Sequence, residues 1–340
     1  MIRFSDILGH ARPIEILRRA LDSGRLHHAW LFQGSEGVGK RTLAETFAAA
    51  LLCERTDPDG PCGQCPACVR CRAGSHPDLH RLEVPEGRSR IPIEAFHALE
   101  GELQLVAYAH RRRVAIVDPA DLLSREAQHA FLKTLEEPRP DTVLILVTSR
   151  PSAILATILS RCQRIAFGPI PVDLLAEHLV RSKRADPAQA TLVAGIARGS
   201  LGRAEALLGE KALAHRDDAV RAIEGACAGR MSPGIAWAEG FRGAAQDRER
   251  ALDLLDLLLL EARDVMVLAS GGAAGDLAHR DRAEGSARKA EAHGAAGRAG
   301  RVFDRIAVAR RDILRNVNPA LALQGMFADL AVGGRLPQSR

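Results

Sequence analysis

The chain has 340 residues, 46% hydrophobic and 26% charged, an ordinary globular balance with core material for two or three domains. Its net charge of +5 permits a nucleic-acid or acidic partner without demanding one. No apolar run reaches the roughly 18 residues of a membrane span, and the start MIRFSDILGH lacks the apolar core of an export signal. The chain is therefore expected in the reducing cytoplasm, where its seven cysteines serve as thiols or metal ligands and not as disulfides.

In chain order, ARPIEILRRALDS (11–23) places Ile14, Leu17 and Leu21 on one helical face. HAWLF (28–32) suits a buried strand and leads into GSEGVGKRT (34–42), after which RTLAETFAAALL (41–52) continues as a helix. Further strands are expected at 79–84, 113–118, 142–149 and 163–167, separated by helical patterns at 91–105, 124–137 and 153–159. Ser124 is a good N-cap for the second of these helices. Strands alternating with helices predict an α/β domain built on a mainly parallel sheet covered on both faces. After Pro169 and Pro171 the periodicity is almost entirely helical, which predicts all-α domains. Residues 271–300, rich in Gly, Ala and charge, read as a loose connection or a poorly packed helix.

The stretch 34–42 is nearly G-x-x-x-x-G-K-[ST], in the strand–loop–helix setting that a phosphate-binding loop needs. Gly34, Gly37 and Gly39 allow the tight path and close approach, the backbone N–H groups surround the phosphates, and Lys40 would reach the outer ones. Arg41, however, replaces the hydroxyl that normally holds magnesium, and Thr42 is one residue late, about 100° further round the helix. The second half of such a site is an acidic residue ending an apolar strand, and RVAIVDPAD supplies Asp118. Many ATPases of this layout have Glu next, to activate the attacking water. Here Pro119 follows, with Asp121 nearby. Two missing groups point the same way, to a loop that holds ATP or ADP weakly or not at all and does not hydrolyse it. Asp118 as a plain strand-end cap is the bland alternative.

CERTDPDGPCGQCPACVRC (53–71) holds five cysteines. Cys53, Cys62, Cys65 and Cys68 give C-x8-C-x2-C-x2-C, a pattern suited to a tetrahedral structural zinc with no open position for water. Cys71 makes Cys62, Cys65, Cys68 and Cys71 a competing ligand set, one that faintly suggests iron–sulfur spacing, and disulfides are the remaining alternative. Cys162 and Cys227 read as small buried residues.

Taken together, HHAWLFQGSEGVGKRTLA, the cysteine insertion, HPDLH (76–80), FLKTLEEP (131–138) and TILSRCQ (157–163) occur in an order and at separations that resemble the delta-prime subunits of bacterial DNA polymerase III clamp loaders. The resemblance is strong over residues 4–168 and thins through the helical remainder, where GIARGSLGRAEALL (195–208) still fits. It implies an AAA+ (P-loop NTPase-like) domain at 1–168 with a zinc module at 53–71, a helical lid at 169–210 and a helical collar at 211–340. It also implies a hetero-pentamer with gamma/tau and delta subunits that loads the sliding clamp onto primed DNA. The related motor subunits carry the magnesium Thr and a strand ending in Asp-Glu, from which this chain departs at Arg41 and Pro119. It has Gly202 where the motors place a nucleotide-sensing Arg, with Arg203 adjacent. The SRC motif implies that Arg161 reaches the ATP site of a neighbouring subunit, a guanidinium supplied in trans, with a surface ion-pair residue as the bland alternative. Two other readings stay open: an active gamma/tau-type motor, and a zinc-dependent DNA-binding module. Little net basic charge in the cysteine loop counts against the second, since Arg55, Arg70 and Arg72 face Glu54, Asp57 and Asp59.

Overall fold

The computed structural model describes residues 2–55, 57–105, 107, 112–209, 212–241, 245–292 and 294–333. They form two compact units. The first comprises residues up to Leu175 together with Gly199–Gly202, and the second Ala176–Arg198 with the residues from Arg203 onward.

In the first unit, α1 (Ala11–Ser23) precedes β1 (Ala29–Gly34), α2 (Lys40–Leu52), α3 (Pro66–Arg72), β2 (Leu79–Leu82), α4 (Ile93–Gln104), β3 (Arg113–Val117), α5 (Arg125–Glu136), β4 (Thr142–Thr148), α6 (Ala156–Leu159) and β5 (Gln163–Phe167). The strands form one parallel sheet in the order β2-β3-β4-β1-β5. Its inner strands are continuous apolar runs because both faces are covered. Trp30, Phe32, Val114, Ile116, Ile145 and Val147 pack with α1 and α2 on one face. Ala29, Leu31, Ala115, Val117, Leu144 and Leu146 alternate with them and pack with α4 and α5 on the other. Phe131 of α5 anchors that second layer, wholly buried and edge-on to Phe96 at 5.2 Å. The helix ends follow local chemistry. α1 stops at Gly24 with φ +66°, and Ser124 Oγ caps α5 by accepting from Ala127 N at 3.1 Å. The expected helix at 153–159 is instead a 3-10 turn (Pro151–Ala153) followed by the short α6, because Pro151 restarts the chain there.

The remaining chain is helical: α7 (Val172–Arg181), α8 (Pro187–Ala197), α9 (Leu201–Gly209), α10 (Ala212–Cys227), α11 (Ser232–Ala238), α12 (Ala245–Ala269), α13 (Ala283–Ala290), α14 (Ala295–Leu314) and α15 (Pro319–Gly333). In the second unit, α12 packs on α14, and Trp237, Phe241 and Phe327 form an aromatic cluster where α11 meets α15. Of the two readings of 271–300, a loose connection or a poorly packed helix, the described residues favour the helix: α13 and the start of α14, preceded by 3-10 turns and seated on α10 and α12 by charge. Asp264 accepts from the backbone N–H of Ala278 (3.1 Å) and His279 (2.8 Å). Arg216, 2% exposed, pairs with Asp281 at 2.5 Å, and Arg282 with Glu261 at 3.1 Å. Asp281 and Arg282 are themselves partly exposed, at 30% and 23%, while their partners on α10 and α12 are buried. No helix among the described residues is long and apolar enough to cross a membrane.

Truncating Phe131 to Ala is expected to destabilise the first unit by about 3–5 kcal/mol, the usual cost of emptying an aromatic site in a packed core. Urea unfolding in a Trp237→Phe background, with Trp30 as reporter, measures it.

Candidate functional site

The carboxyl ends of β1, β3 and β4 meet along one edge of the sheet, where open parallel sheets place their ligands. The glycine loop leaves β1 and turns into α2, whose N-cap Gly39 has φ +104°. Gly37, at φ +71°, lies under Ser200 and Gly202: a Cβ on it would meet Ser200 Oγ at 2.3 Å, and Gly202 N donates to Gly37 O at 3.1 Å. A Cβ on Gly34 would meet the Phe167 carbonyl oxygen at 2.4 Å. His10, buried and edge-on to Phe167, brings Nε2 to 2.7 Å from the Val38 carbonyl oxygen and pins the loop from the N-terminal side. Lys40 is 7% exposed, and its ammonium donates back to the carbonyls of Gly34 (2.8 Å) and Ser35 (2.6 Å). Burial lowers its pKa, against the attraction of Asp118.

Arg41 points out of the first turn of α2 towards three carboxylates. It hydrogen-bonds Glu83, and its guanidinium lies 3.4 Å from Glu45 and 3.8 Å from Asp118. Partial burial works against its charge, but Glu83, Asp118 and Glu45 together raise it above the ordinary arginine value. Burial likewise raises Asp118, with Arg41 and Lys40 opposing. Glu83 was not singled out in the sequence. It follows β2 directly, and the pairing Leu82↔Val117 sets it beside Asp118; only that register, and no local signal, reveals it. Thr42 is half-buried on the next position of α2.

Asp121 is also committed. It is 6% exposed, and it accepts from Thr148 Oγ1 (2.7 Å), Ser149 N (3.3 Å) and Arg150 Nε (3.0 Å), all at the end of β4. Thr148 and Arg150 went unnoticed in the sequence, where a Thr closing an apolar strand was the available sign. Pro119, which offers no carboxylate, takes the next position after Asp118.

Arg161, just beyond α6, pairs with Glu136 at 2.7 Å and donates to the Thr157 carbonyl at 2.9 Å. Its side chain is 36% exposed.

Cys53, Cys62, Cys65 and Cys68 converge, with their sulfurs all within 4.8 Å of one another. A zinc–sulfur bond of about 2.3 Å implies tetrahedral sulfur–sulfur edges of about 3.8 Å, and the Cys53–Cys65 and Cys62–Cys68 pairs both measure 3.9 Å. Backbone N–H groups point at these sulfurs, Cys62 N to Cys53, Cys65 N to Cys62 and Cys68 N to Cys65, each at 3.4 Å. The N–H groups of Gln64 and Cys65 hold the Cys62 thiol down at about 6. The donor set therefore fits a zinc ion. The loop is tied to the N-terminus, where Asp59 accepts from Ser5 Oγ and Arg18, both at 2.5 Å. Cys71 lies outside the group, in the core cluster under the sheet, and burial pushes its thiol up to about 11.

Comparison with known proteins bears out the resemblance read from the motifs. Residues 9–171 match the family described as DNA polymerase III, delta subunit. The chain is 42% identical to DNA polymerase III subunit delta' of Pseudomonas aeruginosa over 164 residues, 48% of this chain and 50% of that one. It is 34% identical to the Bacillus subtilis subunit delta' over 185 residues, 54% and 55% of the two chains. It is 33% identical to the Escherichia coli subunit tau over 222 residues, 64% and 34%. The chain thus spans about half the length of the curated delta' relatives it matches.

Cys71→Ser should retain about one zinc per chain while Cys53→Ser loses it, since four thiolates complete the coordination. Elemental analysis of the purified variants decides between the two ligand sets.

Proposed function

We propose that the chain is a non-hydrolysing, stator-like subunit of a DNA polymerase III clamp loader. In this role it joins gamma/tau and delta subunits in a hetero-pentamer and helps load the sliding clamp onto primed DNA, in the cytoplasm at the replisome. Residues 1–168 serve as the AAA+ domain, 169–210 as its lid and 211–340 as the collar that holds the ring together. The match over residues 9–171 supports the clamp-loader part.

The observation that carries the non-hydrolysing part is the engagement of Asp121. Hydrolysis needs a carboxylate free to position and deprotonate water, and Asp121 already accepts from Thr148, Ser149 and Arg150. Gly34, Gly37, Gly39 and Lys40 keep the shape of a phosphate cradle, so ATP or ADP binds weakly at most.

The chain's chemical contribution is made elsewhere, through Arg161. Its exposed guanidinium is held by Glu136, an arrangement it can exchange for the phosphate of a neighbour's ATP. A guanidinium supplied in trans stabilises the charge that builds on a transferred phosphoryl group, with effects of about 10³–10⁵ for such fingers. Zinc, held by Cys53, Cys62, Cys65 and Cys68, is structural: four thiolates leave it no open position, and it fixes a loop that has little core of its own.

The isolated chain should show no ATP turnover above background. A steady rate abolished by Lys40→Ala would identify an active gamma/tau-type motor instead. In a reconstituted loader with motor subunits, clamp and primed DNA, Arg161→Ala should assemble normally and slow the stimulated ATPase partially, because motor–motor sites keep their own fingers. Arg161→Lys should not restore the rate, since an ammonium cannot make the planar two-point contact. Wild-type turnover and clamp loading with Arg161→Ala, in complexes matched for subunit content, would remove the finger from the mechanism.

A further inference from the structure

Phosphate loops of this type hold magnesium between a hydroxyl on the residue after the lysine and a carboxylate closing a neighbouring strand. The residues here do not fit that ion. Magnesium demands oxygen ligands in a near-octahedral shell, and at the hydroxyl position Arg41 offers five donors and no acceptor. The carboxylate face is also taken. Glu45 from α2, Glu83 from the end of β2 and Asp118 from the end of β3 converge on one guanidinium, which hydrogen-bonds Glu83 and lies 3.4 Å from Glu45 and 3.8 Å from Asp118. Arg81 Nε also lies 3.7 Å from the Glu45 Oε1 that Arg41 approaches.

We infer that Arg41 is a built-in counter-cation: its guanidinium stands where a divalent ion would bridge α2 to β3, and the loop excludes that ion. The inference rests on reading residues 34–42 as a phosphate loop and is independent of the clamp-loader assignment. An arginine stays protonated at any accessible pH, so the charge it supplies is permanent, whereas a metal comes and goes with concentration. It joins the first turn of α2 to the ends of β2 and β3 whether or not a phosphate is present. The three carboxylates are thereby a latent cation site, masked by one side chain.

Manganese alone, titrated into the full-length, zinc-loaded chain and followed by the electron paramagnetic resonance of the free ion, tests this. Wild type should show no manganese binding that Asp118→Asn removes. Arg41→Thr should gain a site on the order of tenfold tighter or more, because a like charge has left and an oxygen has arrived. That gain should vanish in Arg41→Thr/Asp118→Asn. Without metal, Arg41→Thr should melt below wild type, and manganese should raise its Tm while leaving the wild-type Tm unmoved. If Arg41→Thr does not fold, Arg41→Gln, which keeps much of the length and carries no charge, replaces it. Asp118-dependent manganese binding by wild type would overturn the inference, and that comparison requires no Arg41 variant. So would a folded Arg41→Thr that gains no site. ATP turnover, measured separately, bears on the proposed function and is blind to either result.

Discussion

β1 hydrogen-bonds to β4 on one side and β5 on the other, both in parallel. That pairing delivers the glycine loop to the same edge of the sheet as Asp118 and Thr148. It survives because both faces of the sheet are buried, which leaves every inner-strand amide dependent on its neighbour strand and no water to compete. Once β1 is fixed, Gly34 must pass against the Phe167 carbonyl, α2 must start at Lys40, and Arg41 must look towards the ends of β2 and β3. The chemistry of the loop is thus set by strand order before any individual side chain acts.

Much of this was legible in the sequence, and the physical reason differs from element to element. The strands at 113–118 and 142–149 were visible because doubly buried parallel strands are unbroken apolar runs. Lys40, Arg41 and Asp118 were visible because local spacing alone places them. Glu83 was not, since its meeting with Arg41 depends on the β2–β3 register, a pairing across a long stretch of chain. Nor was the engagement of Asp121, because its donors arrive on β4. The four converging sulfurs were anticipated by their spacing, whereas the separation of Cys71 from them needed the turn of α3, which carries its side chain under the sheet.

The ambiguity at 271–300 has another cause. Composition cannot tell a solvated charge from a buried one, and this segment is held by Asp264, Glu261 and Arg216, all nearly inaccessible. Buried ion pairs add little net stability compared with apolar packing, because each ion gives up its hydration. They are intolerant of displacement, however, since a shifted partner leaves a bare charge inside. A segment weak in apolar residues can in this way have one seat on α12 and no neighbouring one.

The contact between Gly37 and Gly202 has a consequence for how this chain can change over generations. A Cβ at 37 would strike Ser200, and one at 202 would meet the Gly37 Cα at 3.3 Å. A side chain at 202 would make the Gly37 backbone yield by a few tenths of an ångström, whereas one at 37 is opposed by Ser200 and by its φ of +71°. The pair lies more than 160 residues apart, yet the room at 202 is set by the path of the glycine loop. Any side chain at 202, even a methyl, would first press on the backbone of the glycine loop, so how far this helix start can vary depends on how far that loop can give.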